Sequence, residues 1–513
     1  MPKFQASSLF SDHAVLCRDR EIRIFGTAGD NVCVTACLVD QDGAVLGRDT
    51  APARDGRFLC VLPPQPARTG CAIWLSDGEA EIRFSDIALG DVYLAAGQSN
   101  MELELQNADE GLACVACHEN DLVRYYNVPK RALPGEEADR ANQDARWVAI
   151  APGTAWDMSA VAYFFAMKLQ PHTGVPVGIV DCYWGGTSIS CWMAEDTLLS
   201  LREGQRYLRD YEEKSRGVTL AEYLEKEAAF NRTIDQWNRA VADLKQKHPG
   251  ITGPEINAQA GPCPWNPPVG PGSPYRPCGL YETMLRRVIP LSLTGVLYYQ
   301  GEEDTFRTER YDQLLIAFVL MLRQQFQRPD LPFLNVQLPM WIDANAQDSF
   351  TWPRLRLAQQ KARDQLRHSG LAILLDQGEY DNIHPTNKRV VGERLYLEAL
   401  RVVYGQSAAQ APEALDKRRE GEALAVALSQ PVSDRGHGAW LMEIAGEDGA
   451  FYPAQVHMEG AALRLTSPSV PRPVSARYAW TDYAVVRLFG ENGLPLAPFW
   501  LETQNNEKRG ITP

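Results

Sequence analysis

The stretch Leu94-Ala95-Ala96-Gly97-Gln98-Ser99-Asn100-Met101 decides the fold. Its apolar part has strand length and ends at Gly97; Ser99 follows at once, and a helical stretch begins near Met101. A serine carried on a strand-to-helix turn holds its hydroxyl at the top of a sheet, with its own N–H aimed where a negative oxygen would be held. The same position also suits a helix N-cap, a role that serine fills well.

Outward from this turn the pattern repeats. Strand-length apolar runs at Val92–Ala96, Val177–Asp181, Gly295–Gln300, Phe333–Gln337 and Ala372–Asp376 alternate with helical periods at Phe164–Leu169, Tyr311–Phe326, Arg354–Leu366 and Asn387–Tyr404. Strands alternating with helices predict a parallel sheet covered on both faces, whose ligands sit at the carboxyl ends of the strands. This α/β region spans about 86–405. Two stretches interrupt it: a polar, helix-forming insertion over about 194–247, and a Pro/Gly-dense loop over about 261–277. Residues 1–85 read as a small β module, with short runs at Val15–Leu16, Ile22–Phe25, Val32–Leu38 and Phe58–Leu62 separated by turn signals. Residues 406–513 return to short β runs, at Ala423–Leu428, Trp440–Ile444, Ala462–Thr466, Val474–Trp480 and Ala484–Phe489. A chain of 513 residues has room for such a division.

Composition narrows the function. With 45% hydrophobic and 23% charged residues, the chain is ordinary for a globular protein with a sizeable core. A net charge of −14 and the lack of a Lys/Arg-rich run argue against nucleic acid as a partner. The longest apolar stretches, such as Leu314–Leu322, fall far short of the ~20 residues that cross a bilayer, so no membrane partner is expected. The N-terminus has no long apolar run; the expected location is the cytoplasm, or outside the cell if a leader has been removed. The 11 cysteines show no regular framework and read as reduced, mostly buried residues, although Cys263 and Cys278 flank the Pro/Gly loop and could bridge it. The sequence carries no signal of oligomeric state.

The chemistry lies at the strand ends. Ser99 needs a base, and the base needs an orienting group. Met101 stands where the Gly-x-Ser-x-Gly elbow would have its last glycine, so the usual α/β-hydrolase turn does not fit. Asp381-Asn382-Ile383-His384-Pro385 follows the last strand and precedes a helix, which places it at the same sheet edge as Ser99. An aspartate three residues before a histidine can fold back onto its Nδ1–H and leave Nε2 for the serine proton. A turn aspartate beside a surface histidine is the plainer alternative. Donors for an oxyanion could come from Tyr183-Trp184-Gly185-Gly186-Thr187, where glycine lets a backbone N–H approach a substrate, or from the Gln300 amide in Tyr299-Gln300-Gly301-Glu302. Each block has a bland reading alone; four of them ending four strands of one sheet point to an enzyme.

These blocks, in this order, resemble the sialate O-acetylesterases, a branch of the SGNH-type serine hydrolases related to some acetylxylan esterases. Lesser matches run from Asp12-His13-Ala14-Val15-Leu16 and Ile24-Phe25-Gly26-Thr27 to Arg477-Tyr478-Ala479-Trp480 and Gly493-Leu494-Pro495, so the resemblance covers nearly the whole chain. It implies a three-layer α/β/α core flanked by β-sandwich-like modules, with no metal or other cofactor. Ser99 would be the nucleophile, His384 its base and Asp381 the orienting acid. The N–H groups of Ser99 and Gly186 and the amide of Gln300 would hold the oxyanion, and Gln98, Asn100, Trp184, Glu302 and Arg307 would contact substrate. The substrate so implied is an O-acetylated sugar, first of all a sialic acid, with acetylxylan or another polysaccharide as the alternative. Leu280-Tyr281-Glu282-Thr283-Met284 departs from the family's Leu-Tyr-Asn-Gly-Met, and Glu303-Asp304 make their loop more acidic than expected. A sialate carboxylate would need a cation; Arg307, Arg310 and Arg389 are candidates. Two other classes compete: a non-catalytic carbohydrate-binding protein, suggested by the β modules and 12 tryptophans, and a haem or zinc site at Cys114-Val115-Ala116-Cys117-His118.

Overall fold

In a computed structural model, the structure describes residues 3–135, 140–141, 144–248, 250–343 and 346–502. The chain is a mixed α/β protein with several sheets. It divides into two compact units: one contains the residues up to Val336 together with Lys361–Ala372 and His384–Ser407, the other Gln337–Gln360, Ile373–Ile383 and the residues from Ala408 onward.

The central sheet of the first unit runs in the order Trp147–Ile150, Asn120–Asn127, Val177–Tyr183, Glu81–Gly97, Gly295–Tyr299, Phe333–Val336, Ser369–Ala372. Pairing is parallel throughout except at Trp147–Ile150, which closes one edge antiparallel to Asn120–Asn127. Every residue of Val177–Tyr183, Gly295–Tyr299 and Phe333–Val336 is buried, as expected of strands covered on both faces. Period-2 alternation explains the cover. Tyr93 pairs with Gly295 and Ala96 with Tyr298, so Tyr93 and Tyr298 face opposite sides. Phe165, from the helix Ala160–Thr173, packs on Tyr93 at 4.9 Å; Phe318, from the helix Tyr311–Gln325, packs on Tyr298 at 5.1 Å.

The strand Glu81–Gly97 runs unbroken across the boundary expected near residue 85. Its first half pairs antiparallel with Arg68–Ser76, and its second half enters the core. The last core strand is Ser369–Ala372, not Ala372–Asp376: Ile373–Leu375 are buried, but the ladder stops at Ala372. The strand Asn120–Asn127 escapes the sequence reading because Asn, Asp and Arg interrupt its apolar pattern, and Trp147–Ile150 because its apolar run is only four residues long. The insertion forms the helices Glu195–Leu199, Arg202–Ser215 and Leu220–Lys247, the last opened by a capping box of Thr219 and Glu222. All 11 cysteines are free, so Cys263 and Cys278 do not bridge the loop.

In the second unit, Ala414–Glu420, Ala423–Leu428, Ala462–Thr466 and Gln455–Met458 form one antiparallel sheet, and Phe451–Pro453, Met442–Ala445, Ser475–Tyr478 and Phe499–Leu501 another. Arg356 is fully buried here and donates to the carbonyls of Thr481, Ala479 and Pro339. Desolvation lowers its pKa to about 9, against the opposing charges of Asp482 and Asp348.

Candidate active site

The turn after Gly97 is built so closely that only glycine fits. Gly97 has φ +143°, and a Cβ there would lie 2.0 Å from the Tyr299 carbonyl oxygen. That approach brings the ends of two neighbouring strands together, and Gln98 N–H donates to the same oxygen at 3.1 Å. The short helix Ser99–Glu102 begins immediately. Its cap is Gln98, so the hydroxyl of Ser99 does not serve as the N-cap. As the first helical residue, Ser99 also has a backbone N–H with no intrahelical acceptor. The half-buried Ser99 places its Oγ 2.8 Å from His384 Nε2.

His384 stands at the rim, exposed, just before the helix Lys388–Val402. Desolvation on the side of the ring that meets Ser99, and then the positive charge of Lys388, lower its pKa below the usual 6.5. The imidazole is therefore neutral at pH 7, the form that accepts a proton. Asp381, three residues upstream, belongs to the second unit; it has φ +58°, and its N–H donates to Ile342 O at 3.2 Å.

The glycine turn after Val177–Tyr183 is clamped on every side. Trp184 N–H donates to Gly97 O at 3.2 Å, Thr187 Oγ1 donates to Trp184 O at 2.6 Å, and Gly185 N–H donates to the Glu102 carboxylate. Lys130 pairs with the same carboxylate. A Cβ at Gly185 would lie 3.2 Å from Ser99 Cβ, so the turn lies against the serine. Gly186 has φ +70°, and its N–H has no protein acceptor among the described residues. Trp184 itself is half-buried beside this turn.

Several expected roles change. Gln300 is completely buried. Its Nε2 donates to Thr187 O at 3.2 Å and to Asp304, and its Oε1 accepts from Tyr311 Oη at 2.6 Å. Both amide protons are thus committed to the scaffold, and Gln300 supports the glycine turn instead of donating to an oxyanion. Gln98, Asn100 and Glu302 are also buried, and each bonds a neighbouring segment. Gln98 Oε1 accepts from the N–H groups of Gly301 and Glu303, both at 3.3 Å. Asn100 Oδ1 accepts from Lys388 Nζ at 2.6 Å, while its Nδ2 donates to Glu302 Oε1 at 2.5 Å. Arg307 is ion-paired with Asp210 and lies over the Tyr207 ring. Arg389 pairs with Glu110 at 2.5 Å, and Arg310 donates to Gln313. In the Cys-x-x-Cys-His segment, Cys114 is buried in the helix Gly111–Cys117, Cys117 is exposed, and His118 Nδ1 lies 2.5 Å from Tyr163 Oη.

Sequence reasoning missed three supporting residues. Lys388 is buried and bonds Asn100; its signal is the i+4 spacing from His384. Glu102 anchors the glycine turn three residues after Ser99. Asp304 is fully buried and accepts from Tyr207 Oη, Gln300 Nε2 and, at 2.9 Å, Ile189 N–H. Desolvation raises its pKa to about 6, against those hydrogen bonds.

The chain matches the family described as "Carbohydrate esterase, sialic acid-specific acetylesterase" over residues 89–246 and 265–400. It is 25% identical to a sialate O-acetylesterase of Rattus norvegicus, over 99% of this chain and 95% of that one. It is 24% identical to the Homo sapiens sialate O-acetylesterase, over 93% and 87%. Among solved structures, a carbohydrate acetylesterase from Xanthomonas citri is similar at TM-score 0.75 and 28% identity, covering 97% of this chain and 99% of that one. The protein is a hydrolase acting on carboxylic esters, and the reading as a non-catalytic sugar-binding protein is set aside. The chain belongs to the sialic acid-specific acetylesterase family of carbohydrate esterases.

Proposed function

We propose that the protein removes O-acetyl groups from a sugar by a serine mechanism. The observation that carries this is the 2.8 Å approach of His384 Nε2 to Ser99 Oγ, at the end of a central parallel strand. His384 takes the hydroxyl proton as Ser99 attacks the acetyl carbonyl. The N–H groups of Ser99 and Gly186 hold the oxyanion, worth several kcal/mol where such donors are preorganised. Collapse of the intermediate expels the sugar oxygen, protonated by His384, and leaves an acetyl-enzyme. Water, deprotonated by His384, then releases acetate. The reading treats the core as a three-layer α/β/α domain of the SGNH type over about 86–405, flanked by β modules.

Sialic acid is the substrate that the relatives' names suggest. One observation favours a neutral acetylated polysaccharide such as acetylxylan instead: of the three arginines expected to meet a sialate carboxylate, Arg307 and Arg389 are paired with Asp210 and Glu110, and Arg310 is hydrogen-bonded to Gln313. Acetate release from O-acetylated sialic acid, measured beside release from acetylated xylan, decides between them. Release from neither, and none from a simple aryl acetate, would overturn the esterase reading.

A further inference from the structure

The Pro/Gly loop and the helical insertion converge on the glycine turn beside Ser99. Trp265, in that loop, is the residue they deliver. A Cβ at Gly186 would lie 2.4 Å from Trp265 Cζ2 and 3.2 Å from Cη2, so the indole edge rests directly on the Gly186 backbone. The turn in turn lies against Ser99, as the 3.2 Å approach at Gly185 shows. Yet Trp265 remains 45% exposed, a large aromatic surface left open next to the reacting groups.

The ring is held rather than dangling. Phe230, from the helix Leu220–Lys247, meets it edge-on at 5.7 Å, and Tyr275 meets it at 5.8 Å and 78°. The loop is pinned to the insertion at two further points: Trp237 Nε1 donates to Gly261 O at 2.9 Å, and Tyr211 Oη donates to Gly270 O at 3.0 Å. An exposed indole fixed by edge-to-face contacts retains little side-chain freedom, so binding against it costs little ordering entropy. Residues 247–264, which lead into it, fall between the two stretches matched to the family.

We propose that Trp265 is a specificity-determining wall, on which the apolar face of the pyranose ring stacks while its acetyl group is presented to Ser99. The insertion holds that wall in place. This rests on the esterase reading above. It concerns the leaving sugar alone, so an ester without a sugar ring should not feel it.

The test is acetate release by wild type, Trp265→Ala and Trp265→Phe from a mono-O-acetylated methyl pyranoside and from ethyl acetate. Trp265→Ala should lose roughly tenfold in kcat/KM on the pyranoside, chiefly through KM, a loss typical of one aromatic contact. Any loss on ethyl acetate, which has no ring to stack, should be several-fold smaller than the loss on the pyranoside, and Trp265→Phe should recover most of the pyranoside activity. An equal loss on both substrates, or no loss on either, overturns the inference and leaves the esterase reading standing. Wild type that cleaves ethyl acetate but not the pyranoside also overturns it. Wild type inactive on both overturns the esterase reading and the inference with it.

Discussion

Lys388→Met removes a cation that the structure uses twice. Lys388 Nζ bonds Asn100 Oδ1 at 2.6 Å, and Asn100 passes the contact to Glu302 Oε1 at 2.5 Å, all in a buried chain. Glu302 Oε2 has no hydrogen-bond partner, so its charge depends on Asn100 and on the nearby lysine. Methionine fills similar space but leaves the buried Asn100 Oδ1 without its donor and Glu302 without the nearby cation, which costs about 1–3 kcal/mol. The cost has a pH signature. Desolvation already raises the pKa of Glu302, and losing Lys388 raises it further. Above the unfolded pKa near 4.5, the folded variant then binds a proton that the unfolded chain has released. Its stability therefore falls as pH rises, by up to about 1.4 kcal/mol per unit across that window. Denaturant unfolding of wild type and variant at pH 5 and pH 8 measures both quantities. The same substitution removes the charge that depresses the pKa of His384, so the acid limb of kcat/KM should move upward. A variant less than about 1 kcal/mol weaker than wild type, equally so at both pH values and with an unmoved acid limb, would refute the reasoning.

Other outcomes follow from the site. The acid limb of wild-type kcat/KM should inflect below 6.5, because His384 is desolvated beside Lys388; a limb at or above 6.5 would contradict that. Gly186→Ala should lower kcat more than it raises KM, and should destabilise by about 1–2 kcal/mol through its positive φ and the contact with Trp265, read by kinetics and thermal unfolding together. Gln300→Met should chiefly lower stability, by about 2–3 kcal/mol, because it strips partners from Asp304 and Tyr311. A loss of several hundredfold in kcat without destabilisation would restore Gln300 as an oxyanion donor.

The strand-end serine and its histidine were legible because an apolar run of strand length gives way to a helical stretch at Gly97, and because His384 stands between a strand and a helix. The limits were also physical. A motif shows which polar groups gather at a strand end, but not which way they face. Gln98, Asn100, Gln300 and Glu302 all carry substrate-contacting chemistry, yet each is buried and hydrogen-bonded to a neighbouring segment. Arg307 reads as an open cation until the insertion brings Asp210 to it. The importance of Lys388, Asp304 and Trp265 depends on contacts between segments far apart in the chain, which no local pattern records.

The most direct test of the central claim is acid quenching during turnover of an activated acetate ester, followed by peptide mass mapping. The mechanism predicts a single acetyl adduct on Ser99 in wild type, and neither adduct nor turnover in Ser99→Ala. An adduct on another residue, or full turnover by Ser99→Ala, would contradict it.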